Sequence, residues 1–259
     1  MKNIFKIPCL LIPLLIGTYQ VNAVEKVELL KTDWSFKGLF GKFDRGSLQR
    51  GYQVYSEVCS SCHSMKYVSY RNLFEPGGPE FTENQAKAIA ASFEVTDGPN
   101  NDGEMFIRPA KLSDKFVMPF ANVKAAQAAN GGAYPPDMSV LAKARSGGVD
   151  YIYSVLLGYE DPPSGVTLDD GVYYNKYMYG NNIKMSQPLS DGLIEYSDGT
   201  VASQEQMAKD VTTFLMWAAE PHLEARHKMG FKAILYLIIL TILVYFSMKK
   251  IWSRIESEV

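Results

Sequence analysis

Five consecutive residues, Cys59-Ser60-Ser61-Cys62-His63, carry the strongest chemical signal in the chain. Two thiols about one helical turn apart can add to the two vinyl groups on one edge of a porphyrin, and the next residue then offers an imidazole to the iron, so Cys-x-x-Cys-His reads as covalent attachment of haem c. His63 would be the proximal iron ligand. Other chemistries fit less well. A thioredoxin-like pair stands at the start of a helix, where the dipole lowers a thiol pKa. Here Leu48, Tyr52, Tyr55 and Val58 recur at helical spacing after the cap candidates Asp44 and Ser47, which puts the cysteines at a helix end. A zinc site needs further Cys or His, and the only other histidines, His222 and His227, stand beside an apolar C-terminal run. A plain disulfide leaves His63 unexplained.

The sixth ligand decides what such an iron does. An axial Met raises the potential and closes the iron, giving an electron carrier, whereas an open or His-ligated position suits a haem enzyme or sensor with an exchangeable ligand. Met118, Met138, Met178 and Met185 all lie on loops able to reach across a ring. Loop context favours Met185, in Asn181-Asn182-Ile183-Lys184-Met185-Ser186-Gln187-Pro188-Leu189, over Met178. Haem also brings two propionates, for which Arg is the usual bidentate partner; Arg145 and Arg108 are the loop-adjacent candidates.

The elements that must position these residues read as helical. Besides the helix ending at the cysteines, residues 82–93 and 121–130 are helix candidates, and residues 137–146 and 150–157 each suggest a short one. The clearest begins at Ser203-Gln204-Glu205-Gln206, a capping box, and continues through Met207, Val211, Phe214, Leu215 and Ala218 until Pro221 interrupts it. Alternating strand patterns are scarce. The loops at residues 94–119 and 158–199 are long and rich in Gly, Pro, Asn and Tyr, which is unusual unless a large group packs them.

Two apolar runs address the membrane. Lys2 and Lys6, the run from Ile7 to Gly17 and Val21-Asn22-Ala23 form a secretory leader over residues 1–23; the run is short for a spanning helix and holds Pro8 and Pro13. Cys9 leaves with it, so the exported chain has only Cys59 and Cys62. The second run, residues 229–248, is long enough to span, with Lys232 near one end able to snorkel and Lys249, Lys250, Trp252 and Arg254 following. Export then orients the chain, with residues 24–228 outside and residues 249–259 as a cytoplasmic tail. Without Lys2 and Lys6, 24 basic residues stand against 28 acidic ones, about −4, which gives no suggestion of nucleic-acid binding. Glu75, Glu80, Glu83, Glu94, Asp97, Asp102 and Glu104 surround a single Lys87, either a solvated acidic loop or a patch that steers a basic partner.

Taken in order, several segments resemble the cytochrome c1 family, the haem c subunit of quinol–cytochrome c oxidoreductases of the bc1 type. They are Arg50-Gly51-Tyr52-Gln53-Val54-Tyr55 leading into the cysteine motif, Asp97-Gly98-Pro99 with Met105-Phe106-Ile107-Arg108-Pro109, Ala128-Ala129-Asn130-Gly131-Gly132-Ala133-Tyr134-Pro135-Pro136-Asp137, Tyr151 to Tyr159 with Asp161-Pro162-Pro163, and Trp217-Ala218-Ala219-Glu220-Pro221 before the anchor. The resemblance implies Met185 as distal ligand, Arg145 of Lys143-Ala144-Arg145-Ser146-Gly147-Gly148 with Tyr151 near the propionates, and Asn130, Pro135 and Pro136 lining the pocket. It implies an electron relay from a Rieske iron–sulfur protein to a soluble or tethered c-type cytochrome, in a dimeric complex with cytochrome b at a bacterial inner membrane, the haem domain periplasmic. Two departures stand out: Asn181-Asn182-Ile183-Lys184 is more polar than the family's usual approach to the Met, and the extra disulfide of some bacterial members cannot form. The expected fold is all-α, a class-I-like cytochrome c domain with long inserted loops plus one C-terminal transmembrane helix.

Overall fold

The computed structural model of the chain describes residues 27–256; the leader region, Cys9 and residues 257–259 lie outside them. The described residues form six α-helices: α1 (Arg45–Val54), α2 (Glu83–Ala91), α3 (Val123–Ala129), α4 (Gly148–Leu157), α5 (Gln204–Ala219) and α6 (Leu223–Glu256). Local chemistry starts most of them. The Asp44 carboxylate accepts from the Ser47 N–H at 2.7 Å, Thr82 and Gln85 form a reciprocal capping box, Asn122 accepts from Ala125, and Ser203 accepts from Gln206.

The core is built where α1 and α5 cross. Gly51 makes the crossing possible: a Cβ there would lie 2.1 Å from the Asp210 carbonyl oxygen and 2.7 Å from Phe214 Cβ. Around it Tyr52 and Tyr55 of the first helix segment meet Phe214 of α5 and Phe116 of a loop, with ring centroids 5.8 to 6.1 Å apart. Beside this apolar contact lies a charged one. Asp210, fully buried, accepts from Arg50 Nε at 2.8 Å, from Gln206 at 2.9 Å and from the Ser47 hydroxyl, so its charge is both paired and hydrogen-bonded.

Three expectations change. Residues 137–146 form turns, not a helix: the Asp137 carboxylate is spent on other N–H and O–H donors, and a single i→i+4 bond, Ala144 N–H to Val140 C=O, is all that forms before Gly147 and Gly148 take positive φ. The long loops carry strands. β1 (Glu94–Asp97) pairs antiparallel with β2 (Phe106–Pro109), closed by Asn100, whose side chain accepts from the Asp102 and Glu104 N–H groups. β3 (Tyr173–Tyr174) pairs with β4 (Asn182–Ile183). The acidic stretch is also less bare than its count suggests, because Arg45, Arg71 and Arg108 reach Glu80, Glu75 and Asp97 from outside it, and Glu83 pairs with Lys87.

α6 follows α5 after a break at Glu220 and Pro221 and is long and apolar enough over Leu223–Ser253 to cross a membrane. Its first turn is fastened to the domain. Arg45 grips Glu224 with two bonds of 2.8 and 2.9 Å, the Phe43 N–H donates to the same carboxylate, and Lys143 pairs with Glu220.

Candidate functional site

The cysteines close the first helix in an unusual way. After Val54 the backbone widens into a π turn, Tyr55–Cys59, with the Ser60 N–H reaching back to the Tyr55 carbonyl; the Cys62 and His63 N–H groups both donate to the Cys59 carbonyl. Such insertions gather at functional sites because they re-aim the side chains that follow. Neither cysteine is in a disulfide. Burial, with Cys62 alongside, pushes the Cys59 thiol up to about 12. A thiol-exchange enzyme needs the opposite, a thiol that ionises readily near neutral pH.

His63 is nearly buried, 9% exposed, and its Nδ1 lies 2.8 Å from the Pro136 carbonyl. A carbonyl only accepts, so Nδ1 carries the proton and Nε2 keeps its lone pair for a metal. Burial lowers the His63 pKa against the pull of that carbonyl, which keeps the ring neutral and ligand-competent.

Pro136 is in turn held by Asp137. One carboxylate oxygen accepts from the Ser64 hydroxyl at 2.7 Å and the Lys66 N–H at 3.0 Å, the other from the Ser139 N–H at 3.0 Å, and the Met138 N–H donates to the Ser64 carbonyl. Burial works against the charged form, but these bonds outweigh it and hold the Asp137 carboxyl below the usual carboxylate range. Residues 136–139 are thereby tied to residues 63–67, and the imidazole's rotation is fixed by a backbone that is itself fixed.

The four methionines now separate. Met138 is 8% exposed within the hydrophobic core, and Met118 is 53% exposed. Met178 is committed on both sides: its sulfur accepts from the Tyr151 hydroxyl at 3.2 Å, and its N–H donates to the Asn175 side chain. Met185 is half-buried and held by its backbone only, through a 3.0 Å bond from the Tyr159 hydroxyl to its carbonyl. Next to it, Lys184 donates to the Gly131 carbonyl at 3.1 Å, which brings the Met185 segment against the turn that follows Asn130.

The base of this segment is laid on the end of α4. Fully buried Asn175 donates to the Val155 carbonyl at 2.8 Å and accepts from Tyr177 and Met178. Gly158 lets the chains approach this closely, since a Cβ there would stand 2.5 Å from the Tyr177 ring.

Of the remaining candidates, Asn130 caps α3 and its side chain donates to Ala126, while Pro135 is half-buried beside exposed Tyr134. Arg145 is exposed and meets only the Ala144 carbonyl, with the Tyr151 ring near enough to feel its charge. The Tyr151 hydroxyl goes to Met178. Arg108, the other propionate candidate, is consumed by the hairpin, pairing with Asp114 at 2.6 Å and with Asp97.

The donor set is therefore two unpaired thiols, one neutral imidazole with a free Nε2, and one thioether on a separate loop. Among the described residues no three His, Cys, Asp or Glu side chains cluster as a metal cage. These residues fit covalent haem and do not fit zinc.

Residues 34–255 match the model of the Cytochrome C1 family. The chain belongs to that family. It is 47% identical over 246 residues to cytochrome c1 of Rhodospirillum rubrum, covering 89% of each chain. With the cytochrome c1-1 heme protein of Solanum tuberosum mitochondria it shares 47% identity over 240 residues, 93% of this chain and 74% of that one. The cytochrome b/c1 protein of Bradyrhizobium diazoefficiens is 51% identical over 239 residues; these are 85% of this chain, which spans about a third, 35%, of that longer protein.

Four residues of the site escape sequence reasoning: Asp137, Tyr159, Asn175 and Tyr55, whose hydroxyl donates to the His63 carbonyl at 3.3 Å. Only Asp137 had a local signal, since an Asp side chain readily accepts from the backbone N–H two residues on in an Asx turn, as it does here from Ser139.

Proposed function

We propose that this chain is the electron-transfer subunit of a bc1-type complex, taking one electron at a time from a Rieske iron–sulfur protein and passing it to a c-type cytochrome. Cys59 and Cys62 would hold the haem by thioether bonds, His63 Nε2 and the Met185 sulfur would ligate its iron, and Arg145, Tyr151, Asn130, Pro135 and Pro136 would surround it. A haem c held in this way supplies a one-electron iron couple whose potential the Met ligand raises. The observation that carries the reading is the His63 ring, buried and neutral with Nδ1 bound to a carbonyl that the chain has fixed in place.

Membership of the family supports reading cytochrome b and the Rieske protein as partners in a dimeric assembly. In this reading residues 1–23 are a leader, residues 24–228 the periplasmic domain, residues 229–248 the span of the inner membrane and residues 249–259 the cytoplasmic tail. Glu94, Asp102 and Glu104, which form no ion pair among the described residues, are the acidic groups left to steer a basic cytochrome.

Purification through the C-terminus tests the assignment. Cytochrome b and the Rieske protein should copurify, an alkaline pyridine haemochrome assay should report covalent haem, and carbon monoxide should barely alter the reduced spectrum. A strong carbon monoxide shift would replace the carrier by a haem enzyme or sensor with an open sixth position.

A further inference from the structure

The loop between Trp34 and Phe43 presents a tip that water should not favour. Leu39 is 81% exposed and Phe40 75% exposed. The tip rises from a firm base: in the core Phe36 stacks on Trp34 and meets Phe43 at a tilt, and the Lys37 and Lys42 N–H groups donate to the Trp34 and Ser35 carbonyls. The loop is also braced to α6, since His227 Nδ1 lies 3.2 Å from the Gly41 carbonyl and the Phe43 N–H donates to Glu224.

The bracing puts the tip beside the start of the apolar span. The Phe40 and Phe231 rings are 6.1 Å apart, and a cleft of about 250 Å³ opens between the loop and the first turns of α6. Lys42, Lys228 and Lys232 edge that cleft, the last two one helical turn apart. None of the three forms an ion pair among the described residues, while Glu224, the acid among them, is gripped by Arg45. An apolar floor level with the first turns of a span, ringed by unpaired cations, has the chemistry of the bilayer interface and of an anionic headgroup there.

We propose that this cleft is a binding site for an anionic phospholipid: Leu39 and Phe40 insert into the interface beside Phe231, and Lys42, Lys228 and Lys232 hold the headgroup phosphate. The loop is then a second membrane contact that, with the α6 anchor, fixes the orientation of the domain over the bilayer. This requires that α6 spans the membrane, and the controls separate the two claims.

The test uses the full haem-loaded chain carrying Cys9→Ser, in which Cys59 and Cys62 are already spent as thioethers, so that a nitroxide can be placed on a single new cysteine. Labels go on Phe40→Cys, on Leu240→Cys within the span and on Val201→Cys, where the surface is 80% exposed. Collision with oxygen and with a water-soluble nickel complex is measured in vesicles of phosphatidylcholine with phosphatidylglycerol, and of phosphatidylcholine alone.

The label at 40 should collide severalfold less with nickel than the label at 201 while remaining open to oxygen. The protection should weaken in the neutral vesicles and after Lys42→Glu with Lys228→Glu. Nickel access at 40 equal to that at 201 would overturn the proposal, as would protection indifferent to lipid charge and to those substitutions. In the purified complex, a label at 40 shielded from both reagents would also overturn it, by showing that protein covers the tip. Nickel access at 240 would instead remove the span itself.

Discussion

Tyr159→Phe deletes one oxygen, the donor that holds the Met185 carbonyl at 3.0 Å. Tyr159 is half-buried, and burial pushes its hydroxyl pKa upward, so it remains a neutral donor at any working pH. The bridge between Tyr159 and Asn175 is a backbone contact that Phe keeps, which confines the change to the Met185 segment. A neutral, partly buried hydrogen bond is worth about 1 kcal/mol net. If that bond forms only when the loop is closed with the sulfur on iron, its loss shifts the closed-to-open ratio by about fivefold. Cyanide competes with the sulfur for ferric iron, so its apparent Kd should fall by about fivefold in a titration followed at the near-infrared Met-to-iron band. The midpoint potential of the closed form and the thioether attachment should not change. An unchanged cyanide affinity would show that Tyr159 does not hold the ligand loop. Wild-type affinity already equal to that of Met185→Leu would show that the sulfur is not on the iron.

Met185→Leu should lower the haem potential and slow turnover of the complex while haem remains attached; an unchanged potential in redox titration moves the ligand to another Met, Met178 first. Gly51→Ala drives a methyl into the Asp210 carbonyl at the α1/α5 crossing and should cost about 2–3 kcal/mol, a drop in Tm of roughly 5–10 °C by calorimetry; an unaltered Tm would mean the helices part without penalty. Acid should loosen the link between the domain and α6. Burial opposes the charged form of Glu220, but Lys143 and Arg226 outweigh it and lower its pKa beneath the ordinary 4.5. Its contribution is complete above 4.5 and is lost as pH falls through the lowered value. Between roughly pH 6 and pH 3, Tm of the wild type should therefore fall more steeply than that of Glu220→Gln, and parallel curves would remove Glu220 from the link.

What could be read from the sequence was what short range decides. The Cys59-to-His63 pattern, the caps at Asp44 and Ser203 and the apolar run inside α6 each depend on neighbours a few residues away. The helix expected at residues 137–146 failed because Asp137 has a stronger use: its oxygens satisfy Ser64 and Lys66, partners that no periodicity reveals. The same distance hides the His63 link to Pro136, 73 residues on, and the reach of Arg45 to Glu80 in the acidic stretch. The hairpin of β1 and β2 was invisible for another reason. It is short, half exposed and stabilised by Asn100 in its turn, so it carries no alternating apolar pattern.

The two sides of the site are built to different standards, and that difference bears on what the chain does. On the His63 side, three hydrogen bonds through Asp137 and Met138 tie one backbone segment to another, and the imidazole answers to a carbonyl inside that weave. On the Met185 side, the residue's own backbone is held by one tyrosine hydroxyl, and its neighbour Lys184 by one exposed contact. A relay needs little rearrangement between redox states, which the first side secures by construction. The second side has to secure it through the β3–β4 ribbon and buried Asn175, which fix the base of the loop a few residues before the sulfur. Rigidity near Met185 is thus borrowed from α4, and α4 is packed on α5, the helix that also clamps the cysteine-bearing segment through Gly51 and Phe214. Both proposed ligand segments, those of His63 and Met185, are consequently referred to one helix, and a shift of α5 would move them together instead of apart.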